Sequence, residues 1–270
     1  MLRIATYNVE WFFVQEHGRA LMFNLKLCPI QDKAKKLAQK ILSLPPLDVV
    51  CLQEVQDEQA LQLLCRELGK EWRCVSGRFA SSRTDQRVGL VYSTRMVDMV
   101  EHDSYVSTAG MQKNQWVRVR SADKHFCIVN VHLKSSWDDV SISERRQEAK
   151  VLLSLVTMLR ERFPEDAVIV CGDFNDLDTD FETPTPPRVY SSVLKQIKDT
   201  CQLQNTVMES IPVKDRISNK WLDCIDHILI DDKCQLADAA AIYPDANVSD
   251  DQSERISDHF PLVATIKLKQ

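Results

Sequence analysis

The chain has 270 residues, with a hydrophobic share of 44% and a charged share of 27%, as in ordinary globular proteins. Its six glycines, ten prolines and lack of any low-complexity tract argue against long disordered segments. The net charge of −5 argues against a protein that coats nucleic acid non-specifically, although it leaves a local basic cleft open.

The amino-terminal stretch MLRIATYNVEWF has neither the basic region nor the apolar core of a signal peptide, and no apolar run reaches the length of a membrane span. The nine cysteines form no Cys-x-x-Cys pair, which favours reduced structural thiols over a disulfide framework or a zinc site. We therefore expect a cytoplasmic protein without a membrane span. We also expect a monomer, and the sequence does not reveal any protein partner.

The first half of the chain begins by alternating strand-like and helical segments. A strand over 2–9 is followed by a helix over 31–44, whose apolar residues recur at helical spacing until two consecutive prolines end it. A strand over 47–55 and a helix over 57–68 repeat this alternation. Strands then dominate and are predicted over 72–77, 88–93, 97–107, 115–120 and 125–132.

The second half begins with a long helix, which the sequence predicts to start at Ser141 with a capping box completed by Glu144. A strand follows over 167–171, and then a Pro-rich surface loop over 182–190 that precedes a short helix. Two closing strands are predicted over 225–230 and 262–268. No Gly/Ser-rich linker divides the chain. Strands with interspersed helices throughout predict a single α/β domain over 1–270, with two sheets and helices outside them.

Polar side chains gather where these strands begin or end. Six such places carry Asn, Gln, Asp, Glu or His: Asn8 and Glu10, Gln53 and Glu54, Asn130 and His132, Asp173 and Asn175, Asp226, and Asp258 with His259. A single carboxylate at a strand end is usually a cap or turn residue, but six unrelated turns would not be expected to share this composition. In α/β sheets such groups converge because rigid strands aim them into one cleft.

The residue types in this set indicate a particular chemistry. Carboxylate and amide oxygens, without cysteine or His-x-x-x-His spacing, suit Mg²⁺ or Mn²⁺ rather than zinc. Histidines can hold or protonate phosphoryl oxygens, and a separate aspartate can orient an attacking water. The pattern therefore predicts metal-assisted hydrolysis of a phosphoester.

The motifs that carry these residues are TYNVEW from residue 6, LQEV, VNVHLKS, GDFND, and SDHFPL, which ends at residue 262. In this order the chain resembles the endonuclease/exonuclease/phosphatase superfamily, which includes DNase I, abasic-site endonucleases, neutral sphingomyelinases, inositol polyphosphate 5-phosphatases and deadenylases. The resemblance extends over nearly the whole chain. It implies a four-layer α/β sandwich, two central mixed sheets flanked by helices, with the site at one edge between the sheets.

The resemblance implies a role for each metal-site residue. Glu54 matches the principal metal ligand. Asn8, Glu10 and Asp258 match residues that line the same metal and water site. The implied cofactor is Mg²⁺ or Mn²⁺.

The remaining roles concern water and phosphate. Asp173 resembles the residue that aligns or deprotonates the attacking water, and Asn175 the one that orients it and holds the phosphoryl group. His259 resembles the histidine that binds the scissile phosphate, and Asp226 the carboxylate that fixes its tautomer and raises its basicity. His132 matches a phosphate ligand or leaving-group acid.

Two basic residues complete the predicted site, and one expected partner, that of His132, is not assigned. Lys134 and Arg145 follow a strand that enters the site and are predicted to contact substrate phosphate, with solvated surface charge as the alternative for each. In DNase I-like enzymes a carboxylate near the strand at 88–92 partners the histidine that His132 matches. Asp85 lies close in sequence, but the sequence does not assign this partner.

The predicted function is a metal-dependent phosphodiesterase, a nuclease that hydrolyses DNA or RNA. One alternative is a phosphatase or phosphodiesterase acting on a lipid or inositol phosphate head group. Another is an inactive relative that serves as a binding module. Such a relative would be expected to lack part of the catalytic set, yet Glu54, Asp173, Asn175, Asp258 and His259 are all present. Endonuclease and exonuclease action both stay open.

Overall fold

A computed structural model describes residues 1–12, 30–77, 86–103, 113–136, 138–176, 192–206, 213–214, 221–222, 225–241, 256–257 and 259–269. For residues 11, 213–214, 221–222 and 240–241 the description covers the backbone alone. None of the helices described there is both long and apolar enough to cross a membrane.

The helices are α1 (Ile30–Ser43), α2 (Glu58–Leu68), α3 (Asp139–Arg162) and α4 (Val193–Cys201). The strands are β1 (Leu2–Phe12), β2 (Val49–Val55), β3 (Trp72–Ser76), β4 (Arg87–Ser93), β5 (Asp98–Asp103), β6 (Asn114–Ser121), β7 (Lys124–His132), β8 (Ala167–Asp173), β9 (Gln204–Asn205), β10 (Val213–Lys214), β11 (Trp221–Leu222), β12 (Asp226–Ile230), β13 (Cys234–Ala241) and β14 (Leu262–Leu268).

Most of the strands form two six-stranded sheets. The first has the order β13-β14-β1-β2-β4-β3 and the second β5-β6-β7-β8-β12-β9, while β10 and β11 form a separate ribbon. Each sheet has one parallel pair near its centre, β1 with β2 and β7 with β8, among antiparallel neighbours. Parallel neighbours end at the same edge of a sheet, so each pair delivers two of the predicted polar groups to one place.

Three apolar clusters fill the spaces between the layers. The inner cluster joins the two sheets through side chains such as Ile4 and Leu90 from the first and Phe126 and Ile169 from the second. Outer clusters pack the first sheet against α1 and α2 and the second against α3 and α4. The order helix, sheet, sheet, helix confirms the predicted four-layer sandwich.

Two local predictions were wrong. Helix α3 begins at Asp139 rather than Ser141, because Asp138 is the N-cap and its carboxylate accepts from the Ser141 N–H at 3.0 Å. Aspartate caps as well as serine does, and the apolar periodicity that suggested Ser141 begins later than the helix. The sequence also failed to predict β13, an edge strand paired antiparallel with β14, since CQLADAAA has little alternation of apolar and polar residues.

The cysteines that the structure describes are all free thiols, as expected. Cys51, Cys127 and Cys171 lie in strands and are completely buried, where a thiol acts as a small apolar side chain.

Candidate active site

The first sheet delivers Asn8 and Glu54 to the edge of the sandwich. The parallel register pairs Asn8 with Gln53, after which β2 has a bulge against β4 between Gln53 and Val55. Glu54 occupies this bulge in the left-handed region, at φ 61°, and its Oε1 lies 3.4 Å from Asn8 Nδ2. Glu10 is also left-handed, at φ 41°, and its N–H donates to Asn8 Oδ1 at 3.1 Å. The left-handed conformation costs about 1–3 kcal/mol of strain for each non-glycine residue, and residues strained in this way concentrate at functional sites.

The second sheet presents a row of three side chains. Asp173 ends β8 and is paired in register with His132 on β7 and with Asp226 on β12. All three are buried. Asn175 follows in the left-handed region, at φ 48°, with its N–H donating to Asp173 Oδ1 at 2.8 Å and its Nδ2 to the Leu133 carbonyl at 3.0 Å. The turn after β8 therefore fixes the Asp173 carboxylate.

The two sheets meet at this carboxylate. Asn8 Nδ2 donates to Asp173 Oδ2 at 3.0 Å across the sandwich. The Nε2 atoms of His132 and His259 lie 3.7 and 3.8 Å from the same oxygen, and His132 Nε2 lies 4.0 Å from Glu54 Oε1. The structure thus brings five of the predicted residues around one point.

Asp226 and His259 are in direct contact, as the resemblance implied. His259 Nδ1 lies 2.6 Å from Asp226 Oδ2. Ser257 Oγ accepts from the His259 N–H at 3.0 Å and donates to the Asn8 carbonyl at 2.6 Å. These bonds tie the segment before β14 to the end of β1, so His259 is held in position through both its ring and its backbone.

A buried amide network lies between the sheets beneath the site. Gln53 Nε2 donates to Asn130 Oδ1 at 2.8 Å and to Thr6 Oγ1 at 3.0 Å. Asn130 Nδ2 donates to the carbonyls of Leu52 at 3.1 Å and Gly89 at 2.8 Å. Because Gln53 immediately precedes Glu54 and Asn130 lies two residues before His132, this network fixes how the two halves of the site face each other.

Burial shifts the ionisation of the central residues. It raises the pKa of Asp173 to about 7, the negative charge of Asp226 adds to the effect, and the positive charge of His259 opposes it. Burial also lowers the pKa of His132 well below its usual range, helped by the charges of Lys113 and His259. His132 is therefore a neutral imidazole at pH 7 in this arrangement.

Lys113 is a cation of this site that the sequence motifs did not reveal. Its Nζ donates to Gln86 Oε1 at 2.7 Å, and its carbonyl accepts from the His132 N–H at 3.0 Å. Burial lowers the pKa of Lys113, while the charges of Glu54 and Asp173 act in the opposite direction. The hairpin of β6 and β7 places Lys113 beside His132, so counting back along that hairpin would have found it.

Lys134 lies partly exposed, as a substrate contact would require. Its Nζ pairs with Glu144 Oε2 at 3.0 Å, and its N–H donates to Glu148 Oε2 at 2.6 Å. The pKa of Glu148 is raised to about 7 by burial, although the hydrogen bond from Lys134 and the charge of Lys113 act against the shift.

Arg145 is placed differently from the prediction. Its side chain has 0% exposure, its Nε donates to the Lys134 carbonyl at 2.8 Å, and its Nη2 donates to the Ser136 carbonyl. Ile142 and Ala149 lie on the same inward face of α3. Helical spacing therefore turns Arg145 toward the protein interior, where it holds the segment after β7 instead of opening into the cleft.

Two predicted or candidate residues, Asp258 and Asp85, lie outside the described residues. His132 Nδ1 is buried and has no hydrogen-bond partner among the residues that the structure describes. No carboxylate partner of His132 Nδ1 is therefore identified in the described part of the chain.

The donor set of the site fits a divalent cation. Glu54 offers carboxylate oxygens, the hard ligands that Mg²⁺ and Mn²⁺ prefer, and in this structure Asn8 beside it turns Nδ2 toward Glu54 and Asp173 while its Oδ1 accepts from the Glu10 N–H. Among the described residues, ligand atoms of Asp173, Asp226 and His259 also lie within 4.8 Å of one another. The short bond between Asp226 and His259 engages two of these three side chains with each other.

Several solved structures share this fold. The human Nocturnin catalytic domain with bound sulfate anion matches at a TM-score of 0.69 and 18% identity over 99% of this chain and 94% of its own. The Bacteroides thetaiotaomicron mannosyl-6-phosphatase matches at 0.70 and 15% over 99% and 100%. D. rerio TDP2 complexed with single strand DNA product matches at 0.66 and 18% over 98% of each chain.

At these identities the structures establish the fold alone. The search of curated proteins returned no match. The family model described as Endonuclease/Exonuclease/phosphatase family matches residues 5–259, which is most of the chain. The chain therefore belongs to the endonuclease/exonuclease/phosphatase family.

Proposed function

We propose that this chain is a divalent-metal-dependent phosphodiesterase that hydrolyses nucleic acid. Endonucleases, exonucleases and phosphatases all hydrolyse phosphoester bonds, so membership of the family supports phosphoester hydrolysis in general. One observation carries the proposal. Asp173 Oδ2 lies 3.7 and 3.8 Å from the Nε2 atoms of two histidines and accepts a hydrogen bond from Asn8 Nδ2 of the first sheet at 3.0 Å.

The proposed reaction follows from these positions. Asp173 orients the attacking water and accepts its proton, and Asn175 holds the loop that fixes this carboxylate. In its protonated form His259 donates Nδ1–H to Asp226 and directs Nε2–H at a phosphoryl oxygen, which stabilises developing negative charge. His132 donates a second hydrogen bond to the phosphoryl group. Glu54 would hold the divalent metal ion, with Asn8, Glu10 and, as the resemblance implies, Asp258 lining the same site, and the ion would supply Lewis-acid stabilisation.

Cations beside the site support a phosphodiester substrate. Lys113 faces the site carboxylates, and Lys134 is partly exposed on the segment that leaves His132. The exposed large apolar side chains of the described residues are dispersed over separate elements, so they form no continuous surface for docking on a bilayer. A relative on the same fold is complexed with single strand DNA product, which also favours a nucleic acid.

Metal dependence is tested by binding as well as by activity. We expect Mn²⁺ to raise the melting temperature of the wild type, because a ligand that binds only the folded state stabilises it. Glu54→Gln should remove most of this rise while melting normally without metal, and the exposed Glu67→Gln should behave as the wild type. An equal rise in Glu54→Gln and the wild type would rule out Glu54 as a ligand.

The substrate is tested with a panel assayed in Mg²⁺ or Mn²⁺ and again in EDTA. It sets circular and end-labelled DNA and RNA beside sphingomyelin, inositol phosphates and a sugar phosphate. We expect cleavage of DNA or RNA, loss of cleavage in Asp173→Asn, and no loss in the exposed Asp123→Asn. Cleavage should also weaken steeply with added salt. Turnover of a lipid, inositol or sugar phosphate without cleavage of nucleic acids would overturn the nuclease proposal, but it would still agree with a phosphoester hydrolase.

A further inference from the structure

Two thiols meet on the outer side of the first sheet, at a place that the proposed reaction does not use. Cys65 lies in the carboxyl-terminal half of α2 and Cys74 lies in β3, and both contact the cluster beneath α1 and α2. The two thiols lie close enough to perturb each other's pKa. Both residues also line one surface cavity of about 580 Å³.

The fold explains why they meet. Cys65 belongs to the apolar face of α2 with Leu61, Leu64 and Leu68, at the margin of that face. Cys74 lies two residues after Trp72 on β3, so both side chains point to the helical side of the sheet. The connection from α2 to β3 is short, and it returns the chain directly so that the strand packs beside the helix.

The surroundings favour reaction at Cys74. The neighbouring Cys65 thiol lowers the pKa of the Cys74 thiol and the charge of Arg73 acts in the same direction, while burial and the charge of Glu58 oppose the shift. Arg66 and Lys70 add positive charge to the wall of the same cavity. Cys74 is only half-buried, which gives a small oxidant access. Reactive cysteines are found in such electropositive, partly exposed places.

The chain contains a second thiol pair that serves as an internal comparison. Cys51 and Cys171 also interact, but both are completely buried between the sheets. Burial raises the pKa of Cys51 well above its usual value. Two pairs in one protein thus differ in solvent access and in nearby positive charge.

We propose that Cys65 and Cys74 form a dithiol site that a peroxide converts reversibly into a disulfide. The Cys74 thiolate attacks one peroxide oxygen, the O–O bond breaks, and the second oxygen leaves as hydroxide, which becomes water on protonation. The Cys65 sulfur then attacks the sulfenic sulfur, the S–O bond breaks, and the oxygen leaves as water with the Cys65 proton. Two thiols are oxidised, one peroxide is reduced, and a dithiol reductant reverses the change.

The test uses the full chain and hydrogen peroxide as the probe. We expect oxidation to lower the mass of the intact protein by that of two hydrogen atoms, and dithiothreitol to restore the original mass. Trypsin alone leaves Cys51 and Cys65 on one peptide, so digestion with trypsin and a Glu-specific protease is needed to map the bond between Cys65 and Cys74. In the native protein, alkylation of Cys74 at pH 7 should be about tenfold or more faster than that of Cys51 or Cys171.

Variants separate this site from general oxidation. Cys74→Ser should lose the mass change and the cross-link, while Cys171→Ala should keep both. Cys65→Ala should leave Cys74 as a sulfenic acid that dimedone traps, and circular dichroism should show that each variant is folded. The proposal is overturned if oxidised wild type keeps both thiols alkylatable, or if Cys74→Ser forms the same intramolecular bond. Neither result bears on the proposed hydrolase activity.

Discussion

Arg145 gives a prediction that separates structural support from substrate binding. Arg145→Met keeps the length and apolar stem of the side chain and removes its guanidinium. The change takes away the donors to the carbonyls of Lys134 and Ser136. It also removes the charge whose Nη1 lies 4.0 Å from Oδ1 of the fully buried Asp176.

The expected cost follows from burial. Removing one partner of a buried ion pair costs about 3–5 kcal/mol, because the other charge stays desolvated. The Asp176 carboxylate keeps its bond from the Leu194 N–H at 2.8 Å, which favours the lower end of that range. We therefore expect Arg145→Met to lower the free energy of unfolding by about 3 kcal/mol. Arg145→Lys should fall between this variant and the wild type, since it keeps the charge but not the fork of donors.

The assay is urea unfolding monitored by circular dichroism, with the denaturant slope compared between variants. The adjacent Arg146 is exposed, so Arg146→Met is the matched control and should change stability by less than about 0.5 kcal/mol. The reasoning is refuted if Arg145→Met unfolds like the wild type. A normal stability with a raised KM for nucleic acid would instead restore the original prediction of a phosphate contact.

Three further predictions concern the site and its frame. Asp226→Asn and His259→Asn should each reduce kcat/KM by orders of magnitude, and the double variant should be little worse than either single variant. If the two single losses instead multiply in the double variant, Asp226 and His259 do not act as one unit. Because the folded pKa of Glu148 is raised to about 7, its contribution to stability is present below its unfolded value and lost as pH rises through 7. Wild-type stability should thus fall by up to about 3 kcal/mol more than that of Glu148→Gln as pH rises through 7 in urea unfolding, because Asp173, whose pKa is also raised to about 7, adds the same fall to both proteins. In Gly172→Ala the new Cβ would lie 2.0 Å from the Val131 carbonyl oxygen at φ +141°, so we expect a loss of at least about 3 kcal/mol, and a melting temperature near that of the wild type would contradict this contact.

Periodicity explains how far the sequence could predict the fold. Strands buried on both faces read as apolar runs, and the helices between them show clear helical spacing, so the sandwich could be predicted. The edge strand β13 could not, because pairing with β14 forms it rather than its own alternation. The same limit applies to β9, which has only two residues and pairs with β12.

The candidate site was predictable in composition but not in conformation. Asp226 and His227 are adjacent, and strand periodicity alone did not say which would face the cleft, so only the family resemblance selected Asp226. On β12 they point to opposite faces, so Asp226 meets His259 while His227 packs edge-on to Phe174 and contacts the Asp176 carbonyl at 3.0 Å. The left-handed backbone conformation of Glu54 could not be predicted from the sequence either, because glutamate has no local preference for that region.

The placement of the site has a consequence for how its precision is maintained. Glu54 and Asn8 belong to one sheet and Asp173 and His132 to the other, so any sliding of the sheets would change every distance between them. Apolar packing between sheets has little directional preference, since the hydrophobic effect depends on buried area. The buried bonds from Gln53 to Asn130, and from Asn130 to backbone carbonyls of the opposite sheet, are directional and fail when displaced. We infer that this amide network, rather than the apolar core around it, sets the relative position of the candidate catalytic groups.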